Sequence, residues 1–182
     1  MFDSNNADPA IKPLLINGSQ PLSSDELLKS LDQEGIHCDV VHHESLRTVE
    51  DAKAIRPKTD YGHTKNLFVR NKKGKMWLLT LHEDRSVDLK HTAMQLEAGR
   101  FSFASEERLM KYLGVIPGAV SAFSILNDVT GQVNFVIDNV LMFHPKWHIH
   151  PLDNRMTVTI ERKALLDFLK KRGHGFELLP DC

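Results

Sequence analysis

Apolar residues recur along this chain with two different periods, and the switches between them outline its elements. Ser23-Ser24-Asp25-Glu26 carries the Ser-x-x-Glu capping pattern, and Leu27, Leu28 and Leu31 follow as a helical stripe that Gly35 stops. Cys38 to His43 reads as a strand, and Thr48-Val49-Glu50-Asp51 caps a short helix that runs through Ala54. Asn66 to Arg70 and Met76 to His82 are β-like runs around Asn71-Lys72-Lys73-Gly74, which predicts a hairpin. Asp88 to Leu96 is helical up to Gly99, and Phe101 to Ala104 is a short strand. An amphipathic helix over Ser105 to Leu113 enters a Gly-x-x-Pro-Gly loop, with a β-rich segment expected directly after it. Val133 to Ile137 and Met156 to Ile160 are strands. Glu161 to Arg172 closes the chain as a helix with Leu165, Leu166 and Leu169 on one face. Strands and helices alternate without a regular βαβ rhythm. That predicts an α+β fold, a single domain with a mixed, largely antiparallel sheet flanked by helices.

Composition narrows the partners. A chain of 182 residues is most simply one domain. Residues 1–20 are polar and read as a loosely ordered arm, leaving 21–182 as the domain. A net charge of −1 gives no molecule-wide field for a polyanion, so any nucleic-acid contact needs a local patch. Arg70, Lys72, Lys73 and Lys75, in and beside the expected hairpin turn, are the candidate for such a patch, and a solvated turn is the alternative. No apolar run has transmembrane length, and the start of the chain is not a signal peptide. Cys38 and Cys182 are far apart, which fits a reducing cytoplasm better than a disulfide framework.

Three stretches carry candidate chemistry. In Leu113-Gly114-Val115-Ile116-Pro117-Gly118, the glycines permit φ > 0 and close approach to bare backbone, while Pro117 stiffens the loop. This is either a tight connection or a rigid set of N–H groups aimed at an oxyanion. Lys65 precedes the apolar run Leu67-Phe68-Val69, so it stands at the mouth of a core strand, either solvated or holding negative charge. His144-x-x-x-His148-x-His150 has a metal-like spacing, but Pro145 and Pro151 argue against one helical face and no thiolate or carboxylate completes it. No metal or other cofactor is expected. There is no Gly-x-Ser-x-Gly elbow, Walker loop or dinucleotide fingerprint, and Cys38 inside a strand reads as core.

Taken in order, several short pieces resemble the YbaK/prolyl-tRNA-synthetase editing-domain family, with the free-standing alanyl-tRNA(Pro) deacylase branch most similar. They are Thr48-Val49-Glu50-Asp51-Ala52, Lys65-Asn66-Leu67-Phe68, Val87-Asp88-Leu89-Lys90, Phe101-Ser102-Phe103-Ala104-Ser105, Leu113 to Val120, Asn127-Asp128 and His150-Pro151-Leu152-x-Asn154. The resemblance implies a metal-free hydrolase that cleaves the ester between a misactivated amino acid and the terminal adenosine of tRNA. It implies Lys65 as the functional lysine, with Asn66 and His150 flanking the site. Gly114 then opens the family's glycine loop, which here runs Gly114-x-x-Pro117-Gly118. Val49 and Ala52, three apart on one expected helix, are candidates for sizing the amino-acid pocket. The implied partners are the acceptor end of tRNA(Pro) and prolyl-tRNA synthetase. Another aminoacyl specificity (Cys or Ser) and a binding-only relative are the alternatives. The oligomeric state is open, with a slight preference for a monomer.

Overall fold

The computed structural model describes residues 13–44 and 59–180. The helix expected from Thr48 to Ala54, the pocket candidates Val49 and Ala52, and Cys182 lie outside the described residues.

Helix α1 (Ser24–Gln33) begins as its sequence dictates. The Ser23 side chain accepts from the Glu26 N–H, the Glu26 carboxylate accepts from the Ser23 N–H, and Leu27 and Leu31 turn inward. Strands β1 (Asp39–His42), β2 (Gly62–Arg70) and β3 (Met76–His82) follow. Asn71 closes the β2–β3 turn with its side chain, which accepts from the Lys75 N–H at 3.1 Å and donates to the Ala98 carbonyl at 2.9 Å. Gly74 takes φ +83° there. Helix α2 (Leu89–Gln95) is capped by Asp88, strand β4 is Ser102–Phe103, and helix α3 (Glu106–Leu113) is capped by Ser105. Strands β5 (Val133–Asp138), β6 (Lys146–Ile149) and β7 (Met156–Glu161) precede helix α4 (Arg162–Lys171) and strand β8 (Glu177–Leu179).

The strands form one sheet in the order β1-β7-β6-β2-β3-β5-β8, with β4 attached to β2. Pairings β1·β7, β6·β7, β2·β3 and β2·β4 are antiparallel, and β2·β6, β3·β5 and β5·β8 are parallel. The α+β architecture with a mixed, mostly antiparallel sheet is the expected one. Alternation along β3 separates two cores. Met76 and Leu78 face the larger core with α1, α3 and α4, whereas Trp77, Leu79 and Leu81 face a smaller one with Ala93, Ala98 and Phe101.

Three details depart from the sequence expectation. After the glycine loop comes a buried 3₁₀ segment, Ala122–Asn127, and not strand, because Ala122, Phe123 and Ile125 all plug the larger core. Strand β6 lies inside the histidine-rich stretch, with only Trp147 and Ile149 facing in, too short an alternation to stand out between two prolines. Order also begins before residue 20. Leu15 is buried, and the Ile16 N–H donates to the Lys111 carbonyl at 2.8 Å.

Candidate active site

Strand β2 loses a neighbour in mid-course. Its start pairs with β6, Gly62 opposite Trp147 and His63 opposite His148. Its end pairs on the same edge with β4, Val69 opposite Phe103 and Arg70 opposite Ser102. Between them, β3 is the only strand paired with Thr64, Lys65, Asn66 and Leu67 among the described residues. Those four are the half-exposed residues of a strand otherwise buried almost throughout. The sheet therefore has a notch, and its floor is the Lys65-Asn66-Leu67 stretch singled out in the sequence.

Lys65 is held at that notch. Its ammonium donates to the Glu83 carbonyl at 2.8 Å and to the Arg85 carbonyl, both in the turn after β3. That turn is itself tied down. The Arg85 guanidinium meets the fully buried Asp138 carboxylate at 2.6 Å and donates to the Pro180 carbonyl at 2.8 Å. The other Asp138 oxygen accepts from the His82 N–H at 3.1 Å. Asp138, at the end of β5, thus fixes the carbonyls that aim Lys65. Nothing local in the sequence signals this, because Arg85 and Asp138 meet only through the parallel pairing of β3 with β5. Asn66 points to the opposite face from Lys65, as adjacent strand residues must, and accepts from the Thr80 hydroxyl at 2.7 Å.

His150 stands at the notch wall. β6 ends at Ile149, and its parallel register with β2 makes residue 150 level with Lys65. The His150 Nδ1 bonds the Met156 carbonyl at 2.7 Å. A carbonyl only accepts, so Nδ1 carries the proton and Nε2 is the acceptor of the neutral ring. Burial holds the His150 pKa below the ordinary imidazole value, outweighing the opposing pull of the Met156 carbonyl. The turn after it is firmly set. Leu152 takes φ +65°, and Asp153 and Arg155 pair at 2.6 Å.

The glycine loop reaches the same wall. A Cβ on Gly118, at φ +88°, would lie 3.2 Å from the Asn154 amide nitrogen. The N–H groups of Ile116 and Gly118 make no hydrogen bond among the described residues. Gly114 serves differently. It is the left-handed cap of α3, and its N–H donates to the Met110 carbonyl at 3.0 Å. A Cβ there would sit 2.6 Å from Asn127 Nδ2, which caps the Leu113 carbonyl at 2.9 Å. Gly114 is a packing and capping glycine, and the loop's unused donors lie further along. Pro117 sits between them.

The remaining candidates separate. The histidines of the 144–150 stretch diverge, each against a different ring: His144 on His82, His148 on His63 and His150 on His43. Among the described residues no three His, Cys, Asp or Glu side chains gather to hold a metal. Burial, aided by Asp39, pushes the Cys38 thiol up to about 11, so it is not a thiolate at neutral pH. Lys72, Lys73 and Lys75 are exposed in the β2–β3 turn and Arg70 is half-buried at its base. Lys72 is seven residues along the chain from Lys65, five of them in β2, so the two are at most about 23 Å apart. Two grooves among the described residues, one between α1, the end of α4 and residues 126–131, the other beside β1 and β7, include none of these residues.

A fixed lysine with a neutral imidazole level with it at a sheet notch is suited to an ester or other acyl carbonyl. The aminoacyl-tRNA editing domain matches residues 43–168, and the chain belongs to that family. It is 34% identical over 154 residues to the prolyl-tRNA editing protein ProX of Acetoanaerobium sticklandii, covering 84% of this chain and 94% of that one. It is 33% identical over 158 residues to the prolyl-tRNA synthetase associated domain-containing protein 1 of Bos taurus, covering 82% and 92%. The crystal structure of protein APE2540 superposes with a TM-score of 0.63 at 15% identity, over 80% of this chain and 93% of that one, a likeness of fold.

Proposed function

We propose that this chain is a trans-editing deacylase that hydrolyses the aminoacyl ester of mischarged tRNA(Pro), with alanine as the amino acid removed. The observation that carries the reading is the notch in β2, where Lys65 and neutral His150 stand level within an aminoacyl-tRNA editing domain. Water attacks the ester carbonyl, the bond from that carbon to the ribose oxygen breaks, and the water's proton ends on the released ribose hydroxyl. The products are a free amino acid and intact tRNA. Negative charge developing on the carbonyl oxygen is met by the loop N–H groups of Ile116 and Gly118 and by the Lys65 ammonium. His150 Nε2 accepts a hydrogen bond and so orients the terminal ribose or the attacking water. No side-chain nucleophile enters, because an aminoacyl ester is already activated, and the vicinal ribose hydroxyl or an ordered water carries the proton.

Alanine follows from the same family branch and from selection by size. An apolar pocket excludes a larger side chain sterically but discriminates poorly against a smaller one, so a site that spares proline must be small. Prolyl-tRNA synthetase, the source of the mischarged tRNA, is the proposed protein partner, in the cytoplasm where charging occurs. Purified protein tested on Ala-, Cys-, Ser- and Pro-charged tRNA(Pro) decides the matter. Fast loss of alanine with Pro-tRNA(Pro) spared is the expected result. Preference for cysteine or serine moves the specificity, and no hydrolysis of any substrate makes the chain a binding module.

A further inference from the structure

Phe103 has no part in the site as described, yet its ring is 62% exposed on a strand that shares the notched edge of β2. The pairing with Val69 sets its direction. Cross-strand partners share a face, and Val69, Leu67 and Lys65 alternate onto one face of β2. Phe103 therefore stands on the Lys65 face, about 13 Å up the strand from it, counted at four residues. On its far side is Arg70, paired with Ser102, and beyond that the exposed Lys72, Lys73 and Lys75. Along one edge of the sheet the order is a cationic turn, an exposed aromatic ring, then the lysine of the notch.

That order matches a duplex that ends in an unpaired strand. Phosphates need cations and no particular base, whereas splayed single-stranded bases need an aromatic platform. We propose that Phe103 is a stacking platform for a base of the unpaired 3′ end of tRNA, holding the strand between the turn that carries the stem and the notch that receives the terminal ester. The proposal rests on the editing reading of the notch. It gives the Phe101-Ser102-Phe103-Ala104 stretch two separate uses. Phe101 fills the smaller core against Trp77 at 4.9 Å, and Phe103, two residues on, is left facing solvent. The acidic first turn of α3 beside it is partly neutralised, since Glu107 pairs with Lys111 at 2.8 Å.

The test is a binding cycle on the full chain with uncharged acceptor-stem hairpin RNA, made with and without its unpaired 3′ nucleotides. Wild type is expected to bind the intact hairpin about tenfold more tightly than the truncated one, in the range of one base stacked on an aromatic ring. Phe103→Ala should bind both as wild type binds the truncated RNA, Phe103→Trp should keep the preference, and thermal stability should not change. Deacylation of alanyl-adenosine, too short to reach the ring, should be the same in wild type and Phe103→Ala. If Phe103→Ala keeps the full preference for the intact hairpin, or weakens both RNAs alike, the platform is overturned. If wild-type protein deacylates none of Ala-, Cys-, Ser- and Pro-charged tRNA(Pro), the editing reading fails, and that result is distinct from the binding cycle. A Phe103→Ala variant that loses only prolyl-tRNA synthetase binding would assign the ring to a protein surface and overturn the proposal.

Discussion

At the scale of single residues, the proposed site separates groups that would act from groups that shape. Lys65 is aimed by two backbone carbonyls, and its side chain fills no core position. Lys65→Ala should therefore leave the unfolding midpoint within ~1 kcal/mol of wild type and lower kcat/KM by about a hundredfold or more, the loss expected when a charge-stabilising donor is removed. Full activity in a folded Lys65→Ala protein, measured on alanyl-adenosine, would take the lysine out of the mechanism. Gly114 should show the opposite pattern. At φ +64°, with Asn127 and Pro21 where a Cβ would go, Gly114→Ala meets both backbone strain and a displaced cap. A loss of about 2–3 kcal/mol in urea unfolding is expected, with any activity defect following from instability. A stable Gly114→Ala variant that is catalytically dead would return Gly114 to the chemistry.

At the scale of elements, the short strand β6 matters most, because where it stops sets His150 beside β2. The native pKa of His150 is lowered by burial, so the folded protein binds fewer protons than the unfolded chain in this region. Its contribution to stability is therefore fully present above the ordinary imidazole value of about 6.5 and is lost as pH falls through the lowered native value. His82 and His174 are lowered for the same reason and add to the same acid-side loss. The role proposed for His150 gives activity its own acid limb, since protonation would remove the Nε2 acceptor. Deacylation of alanyl-adenosine should decline as pH drops below that range, and the limb should vanish in His150→Asn along with most of the rate. A wild-type profile that stays flat to the acid side of the native transition would exclude His150 as an acceptor.

At the scale of the whole molecule, a chain with net charge −1 has to hold a polyanion locally. β2 runs five residues, about 17 Å, from Lys65 to the base of the β2–β3 turn, which sets the proposed stem contact apart from the notch. In the proposed RNA path its few cations would position RNA without reading it, so affinity should fall with salt more gently than for a strongly basic binder. Replacing Lys72 and Lys73 together by glutamate should weaken tRNA binding and flatten that salt dependence, with alanyl-adenosine cleaved at nearly the wild-type rate. Equal tRNA affinity in the reversed variant would put the RNA on another face.

Much of this protein is determined locally. Ser23 and Glu26 make the first helix cap, Asn71 and Gly74 the hairpin turn, and Asp88 and Ser105 the starts of α2 and α3, because each satisfies backbone groups only a few residues away. Lys65 was expected at the mouth of a strand starting at Asn66, but it is the fourth residue of β2, because the strand is extended at its start by pairing with β6, a partner remote in sequence. Other features were decided only when distant segments met. Which glycine of the loop caps and which abuts Asn154 depended on Asn127 and on the β6–β7 turn. The aiming of Lys65 depended on a buried ion pair between the end of β5 and the turn after β3. The notch needed β6 and β4 to share one edge of β2 without meeting. Capping and turn energies act over a few residues, which a sequence displays directly. A gap between strands, or a carboxylate that fixes a remote lysine, is a relation between segments, and only burial of the whole sheet brings those segments together.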